Sequence, residues 1–136
     1  MRNLKILLIE DDEIERLKFD RVLKKNGLLH KLSLSHNGEE ALEKLSTHNF
    51  IPDIILLDLN MPKMNGLEFL KILKSDQHLK YIPVIILSTS NNIRDLKRCY
   101  EEGIAGYMVK PLKYEDYITK ILTLVNYWSQ NELITS

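Results

Sequence analysis

Four apolar runs in this 136-residue chain end in residues able to do chemistry. Leu4 to Ile9 leads into Glu10, Asp11 and Asp12. Asp53 to Leu57 leads into Asp58, Pro83 to Leu87 into Ser88, Thr89 and Ser90, and Ala105 to Val109 into Lys110 and Pro111. If the runs lie side by side and point the same way, Glu10, Asp11 and Asp58 converge. Carboxylates crowded into a shallow cleft repel one another, and a cation joining them removes the repulsion. Oxygen donors with no His or Cys nearby suit Mg²⁺, or a relative such as Mn²⁺, rather than zinc. A hydroxyl and an ammonium at the same edge complete a set that can accept a phosphoryl group. The cation and the lysine screen the transferring oxygens while a carboxylate attacks phosphorus. Pro111 after Lys110 points to a cis bond that aims the lysine.

Each residue also has a plainer reading. Acids after a strand favour the positive end of a following helix, which is how Asp12 and Glu13 read. A serine there is a turn or cap residue, and a lysine among acids balances charge. The specificity lies in the order: acid pair, acid, hydroxyl and lysine at the ends of the four runs in succession.

The runs that must position these groups are continuous and rich in Ile, Leu and Val, as in strands covered on both faces. A weaker alternating run, Lys31 to Ser35, fits a further strand nearer an edge. Between them lie segments with helical spacing: Phe19/Val22/Leu23, Ala41/Leu42/Leu45, Leu67/Leu70/Leu73, Ile93/Leu96/Tyr100 and Ile118/Leu122/Val125. Asn26-Gly27 follows the first helix, Asn37 caps the second, Asn65-Gly66 opens the third and Gly103 closes the fourth. The order is strand then helix, five times. Strict alternation implies a doubly wound parallel sheet with right-handed crossovers and helices on both faces, a three-layer α/β sandwich. Ligands in such sheets sit beyond the carboxyl ends of the strands. The pattern leaves open a flavodoxin-like strand order of 2-1-3-4-5 or a fragment of a larger Rossmann sheet. No glycine-rich phosphate cradle follows the first strand, which argues against a dinucleotide or P-loop site.

Composition narrows the classes further. The 19 basic and 19 acidic residues cancel, so nothing pulls the chain as a whole towards nucleic acid or anionic lipid. The single cysteine, Cys99, excludes an internal disulfide and a multi-cysteine metal site, and fits a reducing cytoplasm. No apolar run is long enough for a membrane span, so the chain reads as soluble and cytoplasmic. The length suits one domain, expected over residues 1–129, with a loose tail over 130–136. His30, His36, His48 and His78 read as surface residues.

The strings IEDD, LLDLNMPKMNG, ILSTS and YMVKP resemble the receiver domain of two-component response regulators, the CheY-like family. The resemblance covers nearly the whole chain, with separated motifs in the correct order. It implies the 2-1-3-4-5 order and a non-enzymatic switch in which Asp58 takes a phosphoryl group from a sensor histidine kinase. It also implies that Glu10, Asp11, Asp58 and the backbone carbonyl of Asn60 hold Mg²⁺. Ser88 and Thr89 would then meet the phosphoryl group, Lys110 would pair with one of its oxygens, and Tyr107 would follow Ser88 when it moves. Departures are small: Glu10 where Asp is frequent, and Ser88 where Thr is frequent. Asp76 to Pro83 and the Tyr127-Trp128 ending are similar to the small regulators paired with bacterial phytochrome kinases.

With no room for an output domain, such a protein acts by contact on a downstream protein or as a phosphorelay intermediate. The last helix shows a second apolar face, Tyr117/Ile121/Leu124/Trp128, beside its expected core stripe. That face suggests a homodimer through the fourth helix, fifth strand and fifth helix. Two rivals stand beside the switch. One is an aspartyl phosphatase of the haloacid dehalogenase type, which wants an Asp where Asn60 stands. The other is a receiver that binds partners without phosphorylation.

Overall fold

A computed structural model describes residues 2–47 and 50–134. His48 and the last two residues of the expected tail lie outside this range. The elements alternate without exception: β1 (Lys5–Ile9), α1 (Glu13–Lys25), β2 (Lys31–Ser35), α2 (Gly38–Ser46), β3 (Ile54–Leu57), α3 (Gly66–Ser75), β4 (Val84–Ser88), α4 (Ile93–Glu101), β5 (Gly106–Val109) and α5 (Tyr114–Ser129). All five strands pair in parallel in the order β2-β1-β3-β4-β5. That order is the flavodoxin-like one and removes the Rossmann alternative.

Side chains of a strand alternate between its faces, and both faces of the central strands β1, β3 and β4 are buried. Leu7 and Ile9 of β1 pack with Ala41 and Leu45 of α2, Phe69, Leu70 and Leu73 of α3, and Cys99 of α4. Ile6 and Leu8 pack on the other side with Phe19, Val22 and Leu23 of α1 and with α5. Each fully buried side chain of this kind contributes about 1.5–3 kcal/mol, so the central strands hold both layers to the sheet.

Four expectations change. In α5 the fully buried positions are Tyr117, Ile121, Leu124 and Val125, while Ile118, Leu122 and Trp128 are only half-buried. The face read as surplus is therefore mostly core. In α4 only Cys99 is buried, and Ile93 and Tyr100 stand exposed, because the helix turns its small thiol towards the sheet. β5 is half-buried along its length because it is the sheet's second edge, not a covered strand. His30 also leaves the surface class, since its Nδ1 accepts the Leu4 amide at 2.8 Å.

Helix starts follow local chemistry. Asp12, Asn37, Asn65 and Asn92 each accept an amide of their helix's first turn. Gly27 and Gly103 take positive φ after α1 and α4. At α3, Asn65 and Glu68 exchange bonds in a full capping box.

Gly66 has a different reason to be glycine. A Cβ there would come within 2.8 Å of the Asp58 carbonyl oxygen and of the Leu59 Cα. Helix α3 thus abuts the backbone that carries Asp58. Gly66→Ala should cost about 1–3 kcal/mol in chemical denaturation. Gly106→Ala, whose Cβ would have ordinary contact at 3.8 Å from Ile85, should be nearly neutral. Equal effects at both sites would contradict this account.

Candidate functional site

Parallel register brings the chemistry together. Ile9 pairs with Leu57, so the next residues, Glu10 and Asp58, emerge side by side, and the Asp58 amide donates to the Ile9 carbonyl at 3.1 Å. Ser88 pairs with Val109, and the Lys110 amide donates to the Ser88 carbonyl at 2.8 Å. Arg16 of α1 steadies the first turn by donating to the Glu10 carbonyl at 2.7 Å.

The result is a cleft at the carboxyl edge of the sheet, lined by Glu10, Asp11, Asp12, Glu15, Asp58, Asn60, Thr89 and Lys110. One carboxylate oxygen from each of Glu10, Asp11 and Asp58 lies within 4.8 Å of the others. Lys110 Nζ donates to Glu10 Oε1 at 2.5 Å and stands 3.5 Å from Glu15 Oε1. Glu10 and Lys110 are almost fully withdrawn from water.

Electrostatics follow from that crowding. Burial raises the Glu10 carboxyl to about 7, with repulsion from Asp58 adding to it and Lys110 opposing. Burial also raises Asp58, against the pull of Lys110. Burial alone would lower Lys110, but Glu10, Asp58 and Glu15 outweigh it and hold the ammonium above its ordinary value. Acids that resist ionisation beside one another, with hard oxygen donors aimed into one cleft, fit a divalent cation.

The remaining predicted residues surround this core. Thr89 lines the cleft, whereas Ser88 is fully buried with its Oγ accepting the Ser90 amide at 3.2 Å. Tyr107 donates its hydroxyl to the Ser90 carbonyl at 2.8 Å, and burial holds the phenol above its usual range. Ser90 in turn donates to Asp95 of α4 at 2.8 Å. Among the described residues there is no cis peptide, so the bond expected before Pro111 is not there. Lys110 is aimed instead by its amide's bond to β4 and by two carboxylates. Sequence reasoning missed Glu15, because only the docking of α1 beside the sheet brings it to Lys110. Cys99 has no part here, since burial and Asp95 raise its thiol to about 11.

Residues 6–122 match the model of the response regulator receiver domain. The chain belongs to this family. Its function class is two-component signalling. The probable methanogenesis regulatory protein FilR2 of Methanothrix harundinacea is 33% identical over 127 residues, 90% of this chain and 82% of FilR2. Response regulator Rcp1 of Synechocystis is 33% identical over 128 residues, 90% of this chain and 87% of Rcp1. The crystal structure of the phosphorylated cyanobacterial phytochrome response regulator RcpA matches with a TM-score of 0.92 at 31% identity, covering 98% of this chain and 100% of RcpA. A structure of Rcp1 in its Mn²⁺-bound form matches with a TM-score of 0.88 at 30% identity, covering 98% and 99%. The match to the phytochrome-paired regulators accords with the similarity read from the motifs. No helix among the described residues is long and apolar enough to cross a membrane.

The raised Glu10 has a signature in stability. Between its ordinary value of 4.5 and about 7 the folded chain binds a proton that the unfolded chain does not. That contribution is present on the acid side and lost as pH rises through about 7. Without divalent cation the thermal midpoint should fall between about pH 5.5 and pH 8, and Mg²⁺ should raise it more at the higher pH. A cation-free midpoint that climbs across this window would contradict the assignment.

Proposed function

We propose that this receiver is a single-domain response regulator, spanning residues 1–129 with a tail over 130–136, that works in the cytoplasm as a phosphoacceptor and not as an enzyme. The observation that carries the reading is the Asp58 carboxylate clustered with those of Glu10 and Asp11 in a cleft that Thr89 and Lys110 also line. The phosphorylated form in which RcpA was solved supports the phosphoacceptor reading.

In this reading Glu10, Asp11, Asp58 and the Asn60 carbonyl would hold Mg²⁺. When bound, the ion screens the oxygens of the transferring group. Asp58 attacks the phosphorus of a kinase phosphohistidine, and the imidazole leaves. Lys110 turns from Glu10 to a phosphoryl oxygen, with Thr89 beside it at the cleft. Ser88 exchanges the Ser90 amide for another phosphoryl oxygen. Tyr107 then loses its fixed partner, because its hydroxyl rests on the carbonyl of the same Ser90. The new charge therefore acts on α4 and β5 through one short loop. Exposed Ile14 and Leu17 on α1, and Leu112 two residues beyond Lys110, offer the donor kinase an apolar rim.

Treatment with a small phosphodonor and Mg²⁺ should give an acid-stable, hydroxylamine-labile mass increase that disappears in Asp58→Asn. An unmodified wild type would sink the proposal. Sustained turnover of phosphate monoesters would favour the enzyme instead, and equal partner binding by wild type and Asp58→Asn would favour a phosphorylation-independent module.

The switch surface also suits a homodimer through α4, β5 and α5. Its support now rests on the open edge of β5, exposed Ile93 and Tyr100, and a groove lined by Met108, Pro111, Asp116, Thr119, Lys120 and Thr123. Asp116 and Lys120 give that groove both signs of charge, which a twofold axis can pair reciprocally. Sedimentation should show a dimer in the phosphorylated sample that Tyr100→Lys or Lys120→Glu returns to monomer. A monomer with and without phosphodonor would overturn this part.

A further inference from the structure

Glu15 is an acid the receiver reading leaves without a task. It follows the N-cap of α1 by three residues, as Glu68 follows the N-cap of α3. At α3 the glutamate reaches back and accepts the N-cap amide. At α1 that amide, on Asp12, is taken by Glu10 Oε2 at 3.2 Å. Glu15 is thereby released from capping, and its side chain extends into the cleft.

There it is held from both ends. Oε1 lies 3.5 Å from Lys110 Nζ and Oε2 lies 3.1 Å from Lys18 Nζ. The Lys18 ammonium rests 4.4 Å from the ring centre of Tyr117, which is buried on α5. Oε2 is buried and takes no aligned hydrogen bond, so its tie to Lys18 is purely ionic. A helix-dipole role alone would leave Glu15 in solvent and would not require the Lys18 and Tyr117 brace.

Lys110 has a difficulty that Glu15 resolves. Its ammonium is nearly buried and its short contact is with Glu10, the residue that would turn to a cation. An unpaired buried ammonium is strongly unfavourable, so binding a cation at Glu10 is opposed unless Lys110 has another counter-ion. We propose that Glu15 is a positioning residue for Lys110, a second counter-ion that takes the ammonium when Glu10 engages the divalent cation. This rests on the reading that Glu10, Asp11 and Asp58 hold that ion. Asp58 cannot fill the role, since it faces the same cation, and among the residues lining the cleft Glu15 is the other acid within ion-pair distance of Lys110.

The test is a double-mutant cycle read by Mg²⁺ binding in titration calorimetry at fixed ionic strength, using wild type, Glu15→Gln, Lys110→Met and the double variant. Glu15→Gln should weaken Mg²⁺ by about threefold to tenfold when Lys110 is present, and by less than about twofold when it is absent. Equal weakening in both backgrounds would show an ordinary loss of charge and overturn the proposal, as would no change in the wild-type background. Thermal midpoints confirm folding, and Lys110→Gln supplies the same cycle should Lys110→Met fail to fold. Wild type that binds no Mg²⁺ fails the receiver reading itself. Normal wild-type binding and Asp58 phosphorylation, without coupling between Glu15 and Lys110, fails this inference alone.

Discussion

Lys110 and Glu10 form an ion pair taken almost wholly out of water at the edge of a parallel sheet, and much of the cleft is arranged around it. One ammonium faces Glu10, Asp58 and Glu15, so the carboxylates are tolerated only as long as the lysine stays among them. A buried pair of this kind adds little net stability, because its attraction must offset the desolvation of both ions. Its worth lies in being exchangeable. A cation or a phosphoryl group can replace either partner, and the freed one must then find a new contact.

The sheet makes that exchange local. Glu10 and Asp58 follow central strands locked by register and by packing on two sides, and Lys110 is tied to β4 by its own amide, so the charged ends stay together. Gly66 extends the constraint by letting α3 press against the backbone of Asp58 and Leu59. A rigid frame under a charge-rich cleft is a sound design for a switch: little free energy is lost in deforming the frame, and the response is channelled to the loops.

The loop after β4 is where that response has somewhere to go. Ser90 is joined to Ser88 through its amide, to Tyr107 through its carbonyl and to Asp95 through its hydroxyl. Moving Ser88 therefore disturbs the start of α4 and the middle of β5 together. Both lie at the least buried side of the fold, where β5 is an edge strand and α4 commits only Cys99 to the core. Weakly held elements shift at lower cost than the central strands do.

The chain's own pattern was enough to reveal the alternation of strands and helices, the helix caps and the acids, hydroxyl and lysine at the strand ends. These depend on local chemistry: apolar runs, side-chain oxygens that accept first-turn amides, and charges placed directly after strands. Which face of α4 and α5 enters the core was not legible, since both helices carry apolar residues on adjacent faces and only the shape of the sheet beneath selects between them. The orientation of Lys110 was misread for a similar reason, with a cis proline expected where carboxylates and a β4 carbonyl do the aiming. Glu15 was invisible because it looks like any acid in a helix's first turn. Its place beside Lys110 is decided by the packing of α1 against α5 and by the capture of the Asp12 amide by Glu10. Sequence spacing thus determined which groups reach the edge of the sheet. Tertiary packing decided which of them touch, because distances between charges depend on how whole elements dock and not on the residues that separate them along the chain.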